Sequence, residues 1–541
     1  MELATTNIDH LGLVAGMCDE IGLVELIDRA CGPQDSNKNL TFGQCVKCMV
    51  MNGLGFVGRT LYLYSEYFED KPLEHLIGAK VSPDQIDNNV LGRTLDKLFS
   101  LGVTEIFGRI SLQAVKTLGI QVRSLHLDST SFHVDGEYNS ELEQDDHRIK
   151  LTKGYSRDHR PELNQAVLQL ITSNEGNIPL FMQAASGNTS DKTAFTEIVS
   201  KHLSSFQAAV KNRYIVGDSA LYTPSSIQAL KESGSLFVTR VPSQLSKEKA
   251  IVKQAAPNKM QELCDGYKGY EICESYEGLE QRWVVIFSEA AYRRELKTLK
   301  KNFLKGSEKE LREFEKLCRE IFVCSKDAKT RYDKVVKKFK YLSVDNFSLN
   351  EVRRHSTVGR PKKEQDPKTI GYQIKGTVYT SLETLKELEQ QKGFFVLATN
   401  DMDAENFSML EVLRTYKAQQ SVERGFRFLK SPDFLVSSLF LKKPERIEAL
   451  LMVMTLCLLI YAAVEHKVRT QLKLQGEFFL NQLKKPAQNP TSRWIFFCFL
   501  GLHLVFVNGK KHAVTNLKER HRIILRCLGP PYQRLYYSEM W

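Results

Sequence analysis

The order in which strand-like and helix-like segments follow one another from residue 121 constrains the fold of this chain more than any other feature. Short apolar runs come first in succession, and from residue 191 they alternate with stretches of helical character. This order is typical of a mixed α/β sheet that is covered by helices. The predicted strands are Val122–Asp128, Ala166–Thr172, Ile178–Ala184, Tyr214–Asp218 and Leu236–Val241.

The chain is long enough to hold several such units. Its 541 residues predict roughly two to four domains, and the 42% apolar and 26% charged residues exclude a fibrous or wholly disordered chain. An N-terminal all-helical domain is predicted over residues 1–120; it could bind DNA through a helix-turn-helix, or it could simply pack. The other predicted units are the first part of the sheet domain (121–241), a basic insertion (242–394), the second part of the sheet domain (395–484) and a C-terminal region that could mediate dimerisation (485–541).

The excess positive charge is confined to one block of the chain. The formal net charge is +11, whereas residues 292–363 alone hold 22 Lys and Arg against 10 Asp and Glu. Charge concentrated in this way indicates a polyanionic partner, either nucleic acid or an anionic membrane. The block predicts a helical hairpin with a break at Gly306, followed by a basic loop that could contact phosphates or enter the minor groove. The loop residues concerned are Arg360, Lys362 and Lys363.

Cysteine usage and the N-terminal residues favour the reducing cytoplasm. The 11 cysteines are sparse and irregularly spaced, which excludes a disulfide scaffold. Cys45 and Cys48 form a CxxC pair, but two partly buried helix cysteines are a better interpretation than a zinc site, because no second pair follows. The first residues lack the basic and apolar segments of a signal peptide. The apolar run at 449–464 is shorter than the roughly 20 residues of a membrane span and predicts a buried core helix.

Two of the predicted strands end in a carboxylate. Asp128 ends the first strand and Asp218 ends the fourth. If these strands are neighbours in one sheet, both side chains lie at the edge where α/β sites are usually found. Paired carboxylates there can bind two divalent cations for phosphodiester cleavage, and Mg²⁺ suits such a site. An aspartate at a strand end is more often a turn residue or a helix cap, so the pair alone is only suggestive.

A third carboxylate lies on a helix that is predicted to run without interruption from Tyr416 to Lys430. The steps between its polar residues are close to three and four, so Tyr416, Gln419, Glu423, Arg427 and Lys430 fall near one face. That face would offer a carboxylate to a metal, and an aromatic ring and cations to phosphate. For the helix alone, the alternative is an exposed amphipathic helix with ordinary charge pairs.

The sequence resembles the DDE-type insertion-sequence transposases whose signature is Tyr-x2-Arg-x3-Glu-x6-Lys. Tyr416, Glu423 and Lys430 match the signature in identity and spacing, and Gln419 stands where the family has arginine. Further segments look like motifs of the same group, and the likeness covers roughly residues 120–470. These segments are His126–Thr130, Gly154–Pro161, Gly187–Asp191 and Val216–Ala220.

The resemblance implies a ribonuclease-H-like core with a large insertion between the second and third acidic residues. It also implies that Asp128, Asp218 and Glu423 bind two Mg²⁺ ions, for which Mn²⁺ can substitute. In related enzymes an aromatic side chain stacks on a flipped base, and Phe395 is the candidate here, with a core phenylalanine as the alternative. The residues expected to contact DNA are Tyr416, Gln419, Arg427, Lys430, Arg157, Arg160, Phe395, Arg360, Lys362 and Lys363.

The function that the resemblance implies is DNA transposition. The protein would cut the ends of an insertion sequence and join the freed 3′-OH to target DNA by two-metal phosphoryl transfer. The expected partners are double-stranded terminal repeats, target DNA and a second copy of the chain, because two ends must be held together; the expected location is the cytoplasm, on DNA. Two alternatives remain: a catalytically silent DNA-binding regulator, which the glutamine at position 419 favours, and a structure-selective nuclease on the same fold.

Overall fold

The computed structural model of the protein begins with a short strand and a series of helices. Residues 3–33, 39–56, 64–134, 149–156, 160–210, 213–354, 368–380, 382–431, 441, 443–508 and 510–537 are described. The N-terminal elements are β1 (Leu3–Asn7), α1 (Leu11–Ile21), α2 (Leu23–Cys31), α3 (Phe42–Leu54), α4 (Tyr64–Phe68), α5 (Leu73–Ile77), α6 (Asn88–Ser100) and α7 (Val103–Leu118). The predicted helical character of this region is confirmed. Cys45 and Cys48 are buried within α3, and no metal-binding cluster occurs among the described residues.

A nine-stranded mixed sheet follows, in the order β4-β3-β2-β5-β6-β13-β9-β8-β7, where β7 is Gln261–Cys264, β8 is Tyr267–Tyr276, β9 is Leu279–Ser288 and β13 is Phe394–Thr399. Its first part contains β2 (Ser124–Val134), β3 (Asn164–Ser173), β4 (Pro179–Ser186), α8 (Asp191–Val210), β5 (Tyr214–Gly217), α9 (Pro224–Glu232) and β6 (Leu236–Arg240). β2, β3 and β4 are antiparallel, whereas β5 and β6 run parallel to β2. This arrangement confirms the predicted ribonuclease-H-like fold.

The first strand is longer than predicted. β2 continues past Asp128 to Val134 because it pairs with β3 along that whole stretch. Asp128 therefore lies within a strand, and the prediction that it ends one was wrong. β5 stops at Gly217, immediately before Asp218, as predicted. The edge of β2 beyond Asp128 is therefore not covered by β5.

The insertion widens the sheet and adds a separate basic module. Its elements are α10 (Ser246–Gln254), β7 (Gln261–Cys264), β8 (Tyr267–Tyr276), β9 (Leu279–Ser288), α11 (Glu289–Arg319), β10 (Ile321–Phe322), α12 (Ser325–Val336), β11 (Leu342–Arg354), β12 (Lys368–Thr380) and α13 (Leu382–Gln390). We call α11, α12 and β10–β12 the basic arm. It has a small core of its own, formed by Phe314, Leu317, Ala328, Val335 and Ile374.

The predicted hairpin with a break at Gly306 was wrong. α11 passes through Gly306 as one helix of 31 residues. A glycine inside a helix costs only about 1 kcal/mol relative to alanine, so packing can override the break it suggests. Here the ring of Tyr341 lies so close that a Cβ at position 306 would be 2.2 Å from its Cε2 atom. The glycine therefore makes room for an aromatic ring.

The chain then returns to the sheet and ends in helices. The elements are β13 (Phe394–Thr399), α14 (Met409–Lys417), α15 (Gln420–Leu429), α16 (Pro444–Leu474), β14 (Phe479–Leu480), β15 (Pro486–Ala487), α17 (Ser492–Phe499), β16 (His503–Val507), β17 (Lys510–Thr515), α18 (Glu519–Leu528) and α19 (Pro530–Tyr536). By length and composition α16 could cross a membrane, but most of its apolar residues are buried in the protein. The predicted core helix is therefore confirmed.

The two ends of the chain meet around α16. β1 pairs with β16, with Leu3 opposite Val507 and Asn7 opposite His503. The Tyr536 hydroxyl donates to the Asp9 carbonyl at 2.6 Å, which joins α19 to the start of α1. One continuous hydrophobic core includes residues from Ile8 to Tyr536 and extends under the sheet. The N-terminal helices thus share their core with the last elements of the chain.

Candidate active site

The first two acidic residues lie level with each other on neighbouring parallel strands. His126 of β2 is opposite Val216 of β5, so Asp128 and Asp218 each follow that pair by two residues. Neighbouring strands are about 4.8 Å apart, and equivalent positions in parallel strands share a face of the sheet. The register therefore places the two aspartates level with each other on neighbouring strands.

Backbone N–H groups hold both carboxylates in place. The N–H of Ser129 donates to Asp128 Oδ1 at 2.8 Å, and the N–H of Ala220 donates to Asp218 Oδ1 at 2.9 Å. The Asp218 carbonyl also accepts a bond of 2.8 Å from the Thr239 hydroxyl. These local bonds fix the side chains before any ligand binds.

The helix that carries the third acidic residue runs along β2. At its start the Gln419 side-chain amide donates to the Leu127 carbonyl at 3.3 Å, and at its end Lys430 Nζ lies 5.6 Å from the centroid of the Phe132 ring. The two contacts are about 16 Å apart along both elements, given a rise of 1.5 Å per helical and about 3.3 Å per strand residue. The intervening Glu423 therefore lies level with the part of β2 that carries Asp128.

A phenol and a guanidinium lie beside these acids. Burial raises the pKa of the Tyr416 phenol, and the Arg240 guanidinium opposes that shift. The carboxylates that add to the rise are those of Asp218, Glu423 and Asp128. These charged groups thus influence the Tyr416 phenol.

Arg240 is a site residue that the sequence did not reveal. Gly217 of β5 is opposite Thr239 of β6, so Asp218 is level with Arg240. The guanidinium lies 5.5 Å from the centroid of Phe395, and the rings of Phe395 and Tyr416 are 6.5 Å apart. Arg240 lies inside the predicted strand Leu236–Val241, and only the pairing of β6 with β5 makes it level with Asp218, so no local signal in the sequence identifies it.

The uninterrupted helix predicted from Tyr416 to Lys430 was wrong in one respect. α14 ends at Lys417 and α15 begins at Gln420. The N–H of Gln419 bonds to the Tyr416 carbonyl, one residue closer than in an α-helix, and its side-chain amide reaches the Leu127 carbonyl of β2. Gln419 is therefore only 7% exposed, in contrast to the exposed Arg424 and Arg427.

The other predicted DNA contacts are placed as follows. Phe395 lies on β13, partly buried beside Arg240. The Arg160 guanidinium, half exposed, pairs with Glu162. Four predicted contacts lie outside the described residues: Arg157, Arg360, Lys362 and Lys363.

The donor chemistry of the three acids suits a hard divalent cation, which prefers carboxylate oxygens and water. Within the described parts of the chain, no three His, Cys, Asp or Glu side chains converge closely enough to hold one ion. Glu423 is exposed, so its side chain must turn toward Asp128 and Asp218 for all three to share ions. The three carboxylates are therefore of the type that a divalent cation binds, and their residues lie at the same level of the sheet.

Comparison with known proteins identifies one family across most of the sheet region. Residues 124–460 match the family described as Transposase DDE domain, and residues 3–112 match a Domain of unknown function (DUF4277). No curated protein matches the chain. A similar solved structure is "Cryo-EM structure of piggyBac transposase synaptic complex with hairpin DNA", with a TM-score of 0.38, 10% identity, and 92% of this chain and 83% of that chain covered. The family match covers more than half of the chain.

Proposed function

We propose a function from one premise: this chain belongs to the transposase DDE domain family. It is a DNA transposase that cuts the ends of an insertion sequence and joins the freed 3′-OH to target DNA. The observation that carries the proposal is the level placement of Asp128 and Asp218 on parallel strands, with the helix of Glu423 running along the first of them. This arrangement supports a site in which Glu423 turns toward Asp128 and Asp218 when metal ions bind.

The three acidic residues are the proposed ligands of two Mg²⁺ ions, for which Mn²⁺ can substitute. When bound, such ions activate the attacking oxygen and stabilise the leaving oxygen of an in-line displacement. Asp128 and Asp218 are held by backbone N–H groups, so they present their remaining oxygen atoms in a fixed direction. Glu423 is the third proposed ligand and is contributed by α15, which runs along β2.

The cations and aromatic rings around the acids position the DNA backbone. Arg240, level with Asp218, and Lys430, beside Phe132, provide positive charge on either side of the carboxylates. Tyr416 offers a phenol hydroxyl to the same phosphate. Such contacts hold the DNA in register but carry no base information.

Two successive displacements account for the reaction. Water attacks the scissile phosphodiester at the element's end, and the products are a 3′-OH and a 5′-phosphate. The new 3′-OH then attacks a phosphodiester of target DNA, and a target 3′-OH leaves. Because both element ends must reach the same target, the active form on DNA is a homodimer in this proposal.

The test is cleavage of a labelled duplex that carries the repeats flanking the gene. The wild-type protein with Mg²⁺ should nick or cut at the repeat boundary, whereas Asp218→Asn should lose at least about 1,000-fold in rate, since a metal ligand is removed. Binding of the same duplex, measured without cleavage, should change little. Cleavage that survives in a clean preparation of Asp218→Asn would contradict the assignment.

A second function is favoured by one observation, the glutamine at position 419. The amide of Gln419 bonds to the Leu127 carbonyl inside the protein, so it does not reach phosphate as the family's arginine would. A DNA-binding regulator without transposition activity would show tight binding of the repeats and no cleavage with either Mg²⁺ or Mn²⁺. The same assay therefore separates the two functions.

A further inference from the structure

Large apolar side chains stand exposed on the surface formed by residues 474–500. The described parts of the chain expose 16 large hydrophobic side chains, and six of them belong to this short segment, each more than half exposed. They are Leu474, Phe478, Leu480, Leu483, Phe497 and Leu500. Monomeric proteins rarely expose a contiguous apolar patch of more than a few hundred Å² unless it serves as an interaction site.

Contacts between α17 and β14 make this surface continuous. The Trp494 indole N–H donates to the Leu480 carbonyl at 2.8 Å, which ties the helix to the strand. The Trp494 ring stacks on that of Phe497, with centroids 5.6 Å apart. Leu500 follows Phe497 by three residues, and Phe478 lies two residues before Leu480, so both extend the surface along their own elements. We call Phe478, Leu480, Trp494, Phe497 and Leu500 the Trp494 face.

The Trp494 face is supported by the shared core. Phe496 and Phe499 of α17 and Phe479 of β14 are buried in that core, so each element is anchored through its other side. The start of α17 is also fixed, because the backbone N–H of Trp494 donates to Thr491 Oγ1 at 3.3 Å. A face that is formed in advance loses little conformational freedom when a partner binds, and aromatic side chains are the typical anchors of protein interfaces.

The charges that accompany the Trp494 face are mostly positive. Residues 473–500 contain a single acid, Glu477, which pairs with Arg526 at 3.0 Å. The same segment holds four exposed cations, which are Lys473, Lys484, Lys485 and Arg493. A second copy of this face would bring like charges together. An anionic partner with apolar side chains of its own matches both the rings and the charges.

We propose that the Trp494 face binds an acidic amphipathic segment of another protein. Trp494 and Phe497 anchor its apolar side chains, and Lys484 and Lys485 attract its carboxylates. Amphipathic helices dock on apolar surfaces in this way, through side chains at steps of three and four. The inference goes beyond the proposed function and does not depend on it, since the partner is a protein rather than DNA.

Fluorescence of Trp494 tests the proposal in the full chain. A Trp541→Phe background leaves Trp494 as the reporter, because the third tryptophan, Trp283, is fully buried. Two synthetic peptides of about 18 residues are titrated; both have leucine at steps of three and four, and the polar positions hold glutamate in one and lysine in the other. The glutamate peptide should shift the Trp494 emission and bind at least about tenfold more tightly than the lysine peptide, and added salt should reduce the difference.

Substitutions on and off the Trp494 face locate the binding site. Phe497→Ser and Leu500→Ser each remove one apolar anchor and should weaken binding of the glutamate peptide roughly fivefold or more. Leu304→Ser, at a similarly exposed leucine of α11, is the matched control and should not change it. Joint Lys484→Glu and Lys485→Glu should remove most of the preference for the glutamate peptide.

Other occupants of the Trp494 face give different results, and each result overturns the proposal. An emission shift that appears with protein concentration alone and is lost in Phe497→Ser assigns the face to a second copy of the chain. A shift with phosphatidylglycerol vesicles but with neither peptide assigns it to an anionic membrane. The proposal also fails if both peptides bind equally, if neither binds, or if Phe497→Ser and Leu500→Ser leave binding of the glutamate peptide unchanged.

Discussion

At the scale of single residues, strand register decides which side chains can act together. The parallel pairing of β2, β5 and β6 places Asp128, Asp218 and Arg240 in one row across the sheet. The carboxylates of Asp128 and Asp218 accept backbone N–H bonds, and the Arg240 guanidinium lies over the Phe395 ring. In the proposed function, this row faces the negative charge of the phosphate.

Replacing Arg240 tests this row. Arg240→Gln removes the positive charge level with Asp218, so affinity for the repeat end should fall roughly tenfold or more. The plot of log affinity against log salt should also lose about 0.9 from its slope, as for one phosphate contact. Both quantities can be measured with uncut duplex in the Asp218→Asn background.

Arg240→Lys is the matched control, because it keeps the charge but not the planar group that lies over Phe395. It should keep the salt slope. If Arg240→Gln shows the slope of the parent, the arginine does not contact phosphate.

The site could be predicted from the sequence only where the signal is local. Asp128 and Asp218 stand out because each follows an apolar run, and Glu423 because its spacing from Tyr416 and Lys430 is specific. Arg240 carries no such signal, since the pairing of β5 with β6 that makes it level with Asp218 is a long-range feature. The direction of the Gln419 side chain could not be predicted either, because its partner Leu127 is distant in the sequence.

At the scale of elements, tertiary contacts override local propensity at two points of the chain. Gly306 predicts a helix end, but the Tyr341 ring needs its space and α11 continues. Tyr416 to Lys430 predicts one helix, but α14 ends at Lys417 and α15 begins at Gln420, next to the bond from Gln419 to the Leu127 carbonyl. The mixed α/β character of the sheet was predictable from the succession of strands and helices, whereas its extension by β7, β8 and β9 was not predicted.

The turn between α14 and α15 should matter for catalysis rather than for DNA binding. Gln419→Met keeps the volume but removes the bond to β2, so the helix that carries Glu423 loses its register against Asp128. We expect cleavage to fall roughly 10- to 100-fold, as for misplacement by about 1 Å, and the Mg²⁺ requirement to rise. Affinity for uncut duplex should stay the same.

The neighbouring Gln420 is exposed and offers a matched control. Gln420→Met should behave as wild type in both assays. A Gln419→Met protein that needs no more Mg²⁺ than wild type would show that the turn does not position the acid.

At the scale of the whole molecule, one core joins the ends of the chain to the sheet, and the excess positive charge lies in the block of sequence that contains the basic arm. α16 contacts the N-terminal helices α1, α3, α6 and α7 as well as α18. The basic arm instead packs around its own small core. The core around α16 thus stabilises the fold, whereas the basic arm carries charge. Substitutions in the two parts can therefore test stability and DNA binding separately.

The shared core contains a carboxyl group that should make stability depend on pH. Burial raises the pKa of Glu448 on α16 to about 7, with Glu105 and Glu445 adding to the shift, and its Oε2 atom has no partner among the described residues. Since the pKa is raised in the folded state, the stabilising effect of the proton is present below pH 4.5 and is lost as the pH rises to about 7. Glu448→Gln should therefore stabilise the protein at pH 8 by about 1–3 kcal/mol.

Thermal unfolding at pH 5.5 and pH 8 measures this effect. The wild-type Tm should be lower at pH 8, and Glu448→Gln should reduce the difference. Glu262→Gln, at an exposed position on β7, is the control and should leave the difference intact. An equal pH dependence in wild type and Glu448→Gln would contradict the prediction.

The basic arm should supply affinity for DNA of any sequence. Lys297, Lys300 and Lys301 are exposed on α11. Their joint replacement by Glu should weaken binding of a random duplex and lower its salt slope by up to about 2.7, whereas joint replacement by Arg should not. Unchanged binding by the Glu variant would remove the arm from the DNA surface.

The pairing of β1 with β16 has a consequence for synthesis on the ribosome. Asn7 meets His503, which is 496 residues later in the chain. At about 5–20 residues per second, the first strand waits roughly 25–100 s for its partner. During that interval the apolar faces of α1 to α7 have no access to α17, α18 or α19, so the nascent N-terminal region is exposed to chaperones and proteases. Nascent chains stalled before residue 503 should accordingly be cut by added protease within residues 1–120, and chains stalled well after residue 537 should resist.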